Sequence, residues 1–202
     1  MRRVAVFLDK DGTLIDDVPF NVDPARVVLA RGAGDALRAL KMHGFLLIVV
    51  SNQSGVAMGR FSLQALAGVE RRIQELLAPS GVAVDAFYYC PHLPQAANVR
   101  YAVRCLCRKP QPGLLRRAAR DFGIDLARSW LVGDILDDVE AGNRAGCRTV
   151  LVDTGNETEW QLGAYRQPHH LALTLRHAAS LIVRPLGRVP PPRDDDAIDV
   201  AS

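Results

Sequence analysis

Val4-Ala5-Val6-Phe7-Leu8 is an unbroken apolar run that ends in Asp9-Lys10-Asp11-Gly12-Thr13-Leu14. A half-exposed strand alternates apolar and polar residues. A run that is apolar on both faces needs cover from both sides, as in a parallel sheet held between helix layers. The two aspartates stand where that strand must end, and Gly12 lets the chain turn at once. In an open α/β sheet, ligands bind at the carboxyl ends of the strands. Two carboxylates so close repel each other unless a cation joins them, and the natural cation for hard oxygen ligands is Mg²⁺. Asp-x-Asp-Gly also occurs in calcium loops and surface turns, so the other strand ends must decide.

The rest of the chain repeats the pattern of apolar run and helix. Ala33 to His43 has helical spacing and stops at Gly44; Phe45 to Val50 is a second buried strand running into Ser51-Asn52-Gln53-Ser54-Gly55. Ser62 is placed to cap a helix from Leu63 to Ala78, and Val82 to Tyr89 is a third strand interrupted by Asp85. Pro112 opens a helix that runs to Phe122 and closes at Gly123. Trp130-Leu131-Val132 leads into Gly133-Asp134, a helix covers about Asp137 to Arg144, and Thr149 to Val152 is the last clear strand. Leu171 to Val183 reads as one more amphipathic helix. Alternating strands and helices predict an α/β fold, a three-layer Rossmann-like sandwich with a mainly parallel sheet. One domain is expected over residues 1–185, followed by a Pro- and Asp-rich disordered tail over 186–202.

Composition narrows the function classes. With 202 residues, 49% hydrophobic and 23% charged, the chain has the makeup of a globular protein with a real core. A net charge of +3 is too small for a nucleic-acid partner. The longest apolar run, Phe45 to Val50, is far too short for a membrane span. Met1-Arg2-Arg3 leads straight into the first strand without room for a signal peptide, so the cytoplasm is the expected compartment. A monomer is expected.

The chemistry lies in what each strand delivers at its carboxyl end: Asp9 and Asp11 from the first, Ser51-Asn52 from the second, Asp134 from a later one. Arg108-Lys109 sits in a loop just before a helix. Carboxylates, a hydroxyl and a lysine at one sheet edge suit phosphoryl transfer, with a metal neutralising phosphate charge and the lysine and hydroxyl holding non-bridging oxygens. One carboxylate can attack phosphorus, and another can protonate the leaving oxygen and then activate water. Taken singly, Ser51-Asn52 could be a turn, Lys109 a solvated surface residue and Asp134 the start of a loop.

As an ordered set, these residues resemble the haloacid dehalogenase-like phosphatases. Asp9-Lys10-Asp11-Gly12-Thr13-Leu14 is similar to the family's first motif, Ser51-Asn52-Gln53 to its second, Lys109 to its third, and Gly133-Asp134 with Asp138 to its fourth. The resemblance runs from about Val4 to Asp153. It implies Asp9 as nucleophile and Asp11 as general acid/base, with Mg²⁺ held by Asp9, the Asp11 carbonyl and Asp134. It further implies that Ser51 and Lys109 steady the transferring group, with Asn52, Gln53, Ser54 and Arg108 among the substrate-binding residues. The stretches between motifs are consumed by single helices, strands and loops, which leaves no room for a separate cap domain.

Cys90-Pro91-His92 and Cys105-Leu106-Cys107 flank a short loop. Together Cys90, His92, Cys105 and Cys107 supply a Cys₃His set for Zn²⁺ with all four positions filled by protein, as in a structural site. Cys147 stands apart and reads as a small packed residue. The zinc loop leads directly into Arg108-Lys109 and so would hold both cations over the catalytic edge. It also narrows the resemblance to the zinc-bearing histidinol-phosphate and heptose-bisphosphate phosphatase branch, more closely to the heptose-bisphosphate side. That implies a small phosphorylated sugar as substrate and removal of the C7 phosphate of a heptose 1,7-bisphosphate, with histidinol phosphate as the alternative. Two departures bear on the substrate: Ile135 follows Asp134 where relatives commonly carry a cation, and Asp17-Val18-Pro19-Phe20 lacks an expected glycine-tyrosine pair near Asn21. A non-catalytic receiver-like module also clusters acids at strand ends, but it has no need of a second carboxylate placed as Asp11 is.

Overall fold

The computed structural model describes residues 2–184; the tail expected over 186–202 lies outside the described residues. The chain starts in the middle of its sheet. β1 (Ala5–Leu8) is buried throughout and pairs in parallel with β2 (Leu46–Asn52) on one side, while β3 (Ala86–Cys90) lies beyond β2. After β3 the chain returns to the other side of β1 with β4 (Trp130–Gly133), then steps outward through β5 (Arg148–Val152) and β6 (His170–Ala172). The order β3-β2-β1-β4-β5-β6 is parallel at every pairing. It reverses direction at β1 and β4, and a cleft opens at the carboxyl ends of strands at such a reversal.

Strand periodicity sends alternate residues to opposite faces. Val6 and Leu8 join Leu47, Val49, Val132 and Val150 in one core cluster. That face is covered by α1 (Ala33–Met42), α3 (Leu66–Leu77) and α6 (Leu175–Val183). Ala5 and Phe7 join Leu46, Ile48, Val50 and Leu131 in a second cluster, closed by α4 (Gly113–Phe122) and α5 (Leu136–Ala145). The fold is therefore the three-layer parallel sandwich expected. Cys147 is packed in the second cluster.

Three local expectations need correction, and one short element is added. The third strand starts at Ala86 rather than Val82, because Asp85 turns its carboxylate onto the Leu47 N–H (2.7 Å) and the Lys41 ammonium (2.6 Å). The helix expected from Leu63 begins as a 3₁₀ turn (Leu63–Ala65) and becomes α-helical only at Leu66, without a side-chain cap from Ser62. A short α2 (Ser54–Ala57) follows β2 directly. The last helix starts at Leu175, because His170–Ala172 forms the edge strand β6 and Thr174 caps the helix by accepting the His177 N–H at 3.1 Å. No helix among the described residues is long and apolar enough to cross a membrane.

Candidate active site

Asp9 follows β1 and its N–H donates to the Val132 carbonyl of β4, so the residue is fixed at the reversal point. Its carboxylate is ion-paired with Lys109, whose ammonium is buried and also meets Asp138 at 2.6 Å and the Val50 carbonyl at 3.1 Å. Asp134 directly follows β4. Thr13 donates to one of its oxygens (3.0 Å) and Asn156 to the other (2.7 Å). Ser51 lies at the end of β2 with its hydroxyl accepting from Gln53 at 2.8 Å. Asp9, Asp11, Ser51, Lys109, Asp134 and Ile135 all line one open cavity of about 290 Å³.

Two glycines make this approach possible. Gly12 has φ +82°, and a side chain there would collide with Asp134 and Asn156. Gly133 is packed against the Asp138 side chain, which leaves no space for a Cβ.

The electrostatics are those of a cation site. Asp9, Asp134 and Asp138 bring carboxylate oxygens within 4.8 Å of one another, and all three are buried. Burial pushes the Asp9 carboxyl up to about 7, against the pull of Lys109 and with further upward push from Asp138 and Asp11. Burial and the Asp9 charge push Asp134 up to about 6. Asp138 is likewise raised by burial, against Lys109. Burial alone would lower Lys109, but Asp138 and Asp9 hold it above its ordinary range. One lysine facing three buried carboxylates leaves a surplus of negative charge, and a divalent cation with oxygen ligands fits that surplus. Asp9 and Asp134 flank the cavity and could hold Mg²⁺, whereas Asp138 is committed to Lys109 and to the Ile135 N–H at 3.4 Å. The Asp11 carboxylate lies outside this carboxylate cluster but lines the same cavity, paired with Lys10 and accepting from Gln53 at 3.0 Å.

Asn52 was expected among the substrate-binding residues. Asn52 lines the catalytic cavity, and its amide also clamps the backbone of Lys109, accepting the Lys109 N–H at 3.0 Å and donating to the Lys109 carbonyl at 3.1 Å. Gln53 bridges Ser51 and Asp11, while Ser54 opens α2 and lines an adjoining cavity of about 240 Å³ with Phe20 and Asn21. The Arg108 guanidinium rests on the His92 carbonyl at 3.3 Å and lines neither cavity.

Cys90, His92, Cys105 and Cys107 converge, with ligand atoms 3.1–3.6 Å apart. Bonds of roughly 2.3 Å to a tetrahedral zinc give edges of about 3.5–3.8 Å, so the set fits Zn²⁺ closely, with His92 offering Nδ1. The contact between Cys90 and Cys107 holds the Cys107 thiol down at about 5 and raises that of Cys90, so without a metal one proton is shared between the two sulfurs. β3 aligns Cys90 with Asn52, so the first zinc ligand and the clamp on Lys109 sit side by side.

Several residues at the site escaped the sequence reading. Asn156 comes from the loop after β5, a strand end as readable as the others. Asp138 belongs to the fourth motif, but nothing in the sequence shows that its partner is Lys109. Lys10 is buried beside Asp11 despite its charge. Phe20 adopts φ +57°, unusual for a bulky residue, and carries the Arg60 guanidinium 4.1 Å above its ring.

A HAD-hydrolase-like family model matches residues 106–178. The chain is 42% identical over 159 residues to a D-glycero-beta-D-manno-heptose-1,7-bisphosphate 7-phosphatase from Haemophilus ducreyi, covering 77% of this chain and 86% of that one. A protein of the same name from Escherichia coli K12 is 39% identical over 169 residues, covering 79% and 88%. Among solved structures, the D,D-heptose 1,7-bisphosphate phosphatase from B. bronchiseptica complexed with magnesium and phosphate superimposes with a TM-score of 0.77 at 32% identity, covering 90% of this chain and 99% of that one.

Proposed function

The chain belongs to the D-glycero-beta-D-manno-heptose-1,7-bisphosphate 7-phosphatase family of HAD-like hydrolases, and on that premise we propose that it removes the C7 phosphate of this bisphosphate and leaves the 1-phosphate. The chain is a phosphatase, and its fold supports Mg²⁺-dependent hydrolysis of a phosphate ester. The observation that carries the proposal is Asp9, buried and facing the cavity beside Lys109, Asp134 and Ser51, with Asp11 two residues further on.

In the first step an Asp9 oxygen attacks phosphorus, and the bond from phosphorus to the C7 oxygen breaks as that oxygen takes a proton from Asp11. In the second, Asp11 removes a proton from water, the water oxygen attacks the same phosphorus, and the Asp9 carboxylate is released. Lys109 and the Ser51 hydroxyl hold the non-bridging oxygens, and Lys109 keeps Asp9 oriented. Asn52 and Asp138 position Lys109, one through its backbone and the other through its ammonium. Mg²⁺ would be held by Asp9, the Asp11 carbonyl and Asp134 and would supply positive charge against the phosphate oxygens.

The remote phosphate is assigned to Arg108, anchored on the zinc ligand His92 and adjacent to Lys109 in sequence. The adjoining cavity past Phe20, Asn21 and Ser54 gives the sugar its place. The reading takes residues 1–185 as a single domain without a cap, acting as a cytoplasmic monomer; the clustered thiols suit a reducing compartment. The test is kcat/KM for heptose 1,7-bisphosphate, its 7-monophosphate and histidinol phosphate. The bisphosphate is expected to be best; a best rate with histidinol phosphate would replace the substrate while keeping the chemistry.

A further inference from the structure

A cavity larger than the catalytic one shares no lining residue with it. It measures about 790 Å³ and lies between α4, the end of α5, the zinc loop and the 154–168 loop. Four arginines line it: Arg116, Arg117 and Arg120 from α4, and Arg144 from α5, with the Arg117 guanidinium over the Tyr88 ring and that of Arg144 over the Tyr165 ring. Its rim carries the exposed side chains of Leu106 and Tyr165. A second cavity of about 440 Å³ continues it along α4, sharing Arg116 and Arg120 and adding Arg2.

The positive charge here is only partly answered. Arg144 pairs with Glu140 at 2.7 Å, and Arg117 stands 3.9 Å from Asp121. Arg116 touches only the Arg144 carbonyl, at 3.2 Å, and among the described residues neither it nor Arg120 makes an ion pair. These two lie four residues apart on one helix face, where like charges oppose helix formation. Two like charges without an acidic partner, on the wall of a cavity of this size, are what a site built for an anion requires. Guanidiniums select planar or tetrahedral oxyanions, which they grip with paired N–H donors. The groove is longer than one phosphate, and its unpaired cations are spread along α4 and not gathered at a point. The apolar and aromatic rim at Leu106 and Tyr165 offers a ring-bearing group a surface at one end.

We propose that this groove is a second, non-catalytic binding site for a small molecule carrying a di- or triphosphate. Arg116 and Arg120 take the phosphates, and Arg117 and Arg144 flank them. An occupant would rest against Leu106 and Cys107, at the base of the loop that carries Lys109.

The test is calorimetric titration of the zinc- and magnesium-loaded protein with inorganic pyrophosphate and with ADP at physiological salt, where diffuse surface attraction is screened. Both are expected to bind saturably to the wild type. In Arg116→Gln/Arg120→Gln the affinity should fall by roughly tenfold or more, as loss of two charge-assisted contacts requires, with phosphate release from the substrate unchanged. ADP tighter than pyrophosphate would make the nucleoside part of the ligand; equal affinities would make it the diphosphate alone. Absence of saturable binding, or equal binding by wild type and variant, would overturn the proposal. Should the double variant fail to match the wild-type Tm, Arg120→Gln alone serves in its place, with the same loss expected in smaller degree.

Discussion

At the residue scale, Asp9 and Asp11 are two positions apart but sit in opposite settings. Asp9 is buried against Lys109 and Asp134, while Asp11 lines the cavity with its carboxylate held by Lys10 and Gln53. Asp9→Asn should abolish turnover, since an amide does not attack phosphorus. Asp11→Asn should bind substrate and slow both proton-dependent steps on the order of 10²–10⁴-fold. Single-turnover phosphate release checks both; near-normal release by Asp9→Asn would remove the covalent step. Asn52 offers a finer test. Its amide makes two hydrogen bonds to the Lys109 backbone, so Asn52→Ala should lower kcat by roughly tenfold through loss of aim. Mg²⁺ affinity should be unchanged, because Asn52 touches no carboxylate of the metal set. A change confined to KM would instead return Asn52 to the substrate.

At the element scale, the zinc loop connects β3 to α4 and delivers Lys109 across the cleft to Asp9. The loop itself has little regular structure, and Arg108 N–H donates to the Cys105 thiol at 3.3 Å, tying the cation pair directly to the metal set. Structural zinc contributes folding free energy outright. Purified protein should contain about one zinc per chain. Cys105→Ser should lower Tm by roughly 5–15 °C, the range for loss of a few kcal/mol in a chain of this size, and should lower activity through Lys109. Metal-free protein with wild-type Tm and activity would separate the loop from the site.

At the scale of the whole molecule, the sheet gathers three buried carboxylates around one lysine, and this sets how stability varies with pH. Asp9 and Asp134 have folded-state values of about 7 and about 6, raised from an ordinary 3.8. Both shifts are upward, so between about pH 4 and 7 the unfolded chain gives up these protons while the folded chain keeps them. Their contribution to stability is therefore present at low pH and lost as pH rises through that window. Magnesium reverses this by favouring the ionised carboxylates. The gain in Tm on adding Mg²⁺ should grow between pH 5 and pH 8, and thermal melts across that range check it; an equal gain throughout would mean that the metal does not bind through these groups.

How much could be read from the chain alone follows from which forces act locally. Apolar runs, glycine stops and a Pro-led helix are properties of neighbours in sequence, so β1, β2, α1, α4 and the parallel three-layer sandwich were legible. So were the residues that each strand end delivers, because a strand's carboxyl end is a place in the sequence as well as in the fold. β6 was missed because a short edge strand with an exposed Leu171 carries no pattern of its own, and it is paired only through β5. Partners were not legible either. The amide of Asn52 looks the same whether it faces a sugar or a backbone. Only the register of β2 against β3 and the path of the zinc loop decide that it meets Lys109. The same holds for Arg108, turned onto the His92 carbonyl, and for Arg116, Arg120 and Arg144, which become one charged groove only where α4 packs beside α5. Sequence by itself determined which chemical groups arrive at the edge of the sheet; tertiary packing decided which of them touch, because burial and pairing are set by neighbours that are distant along the chain.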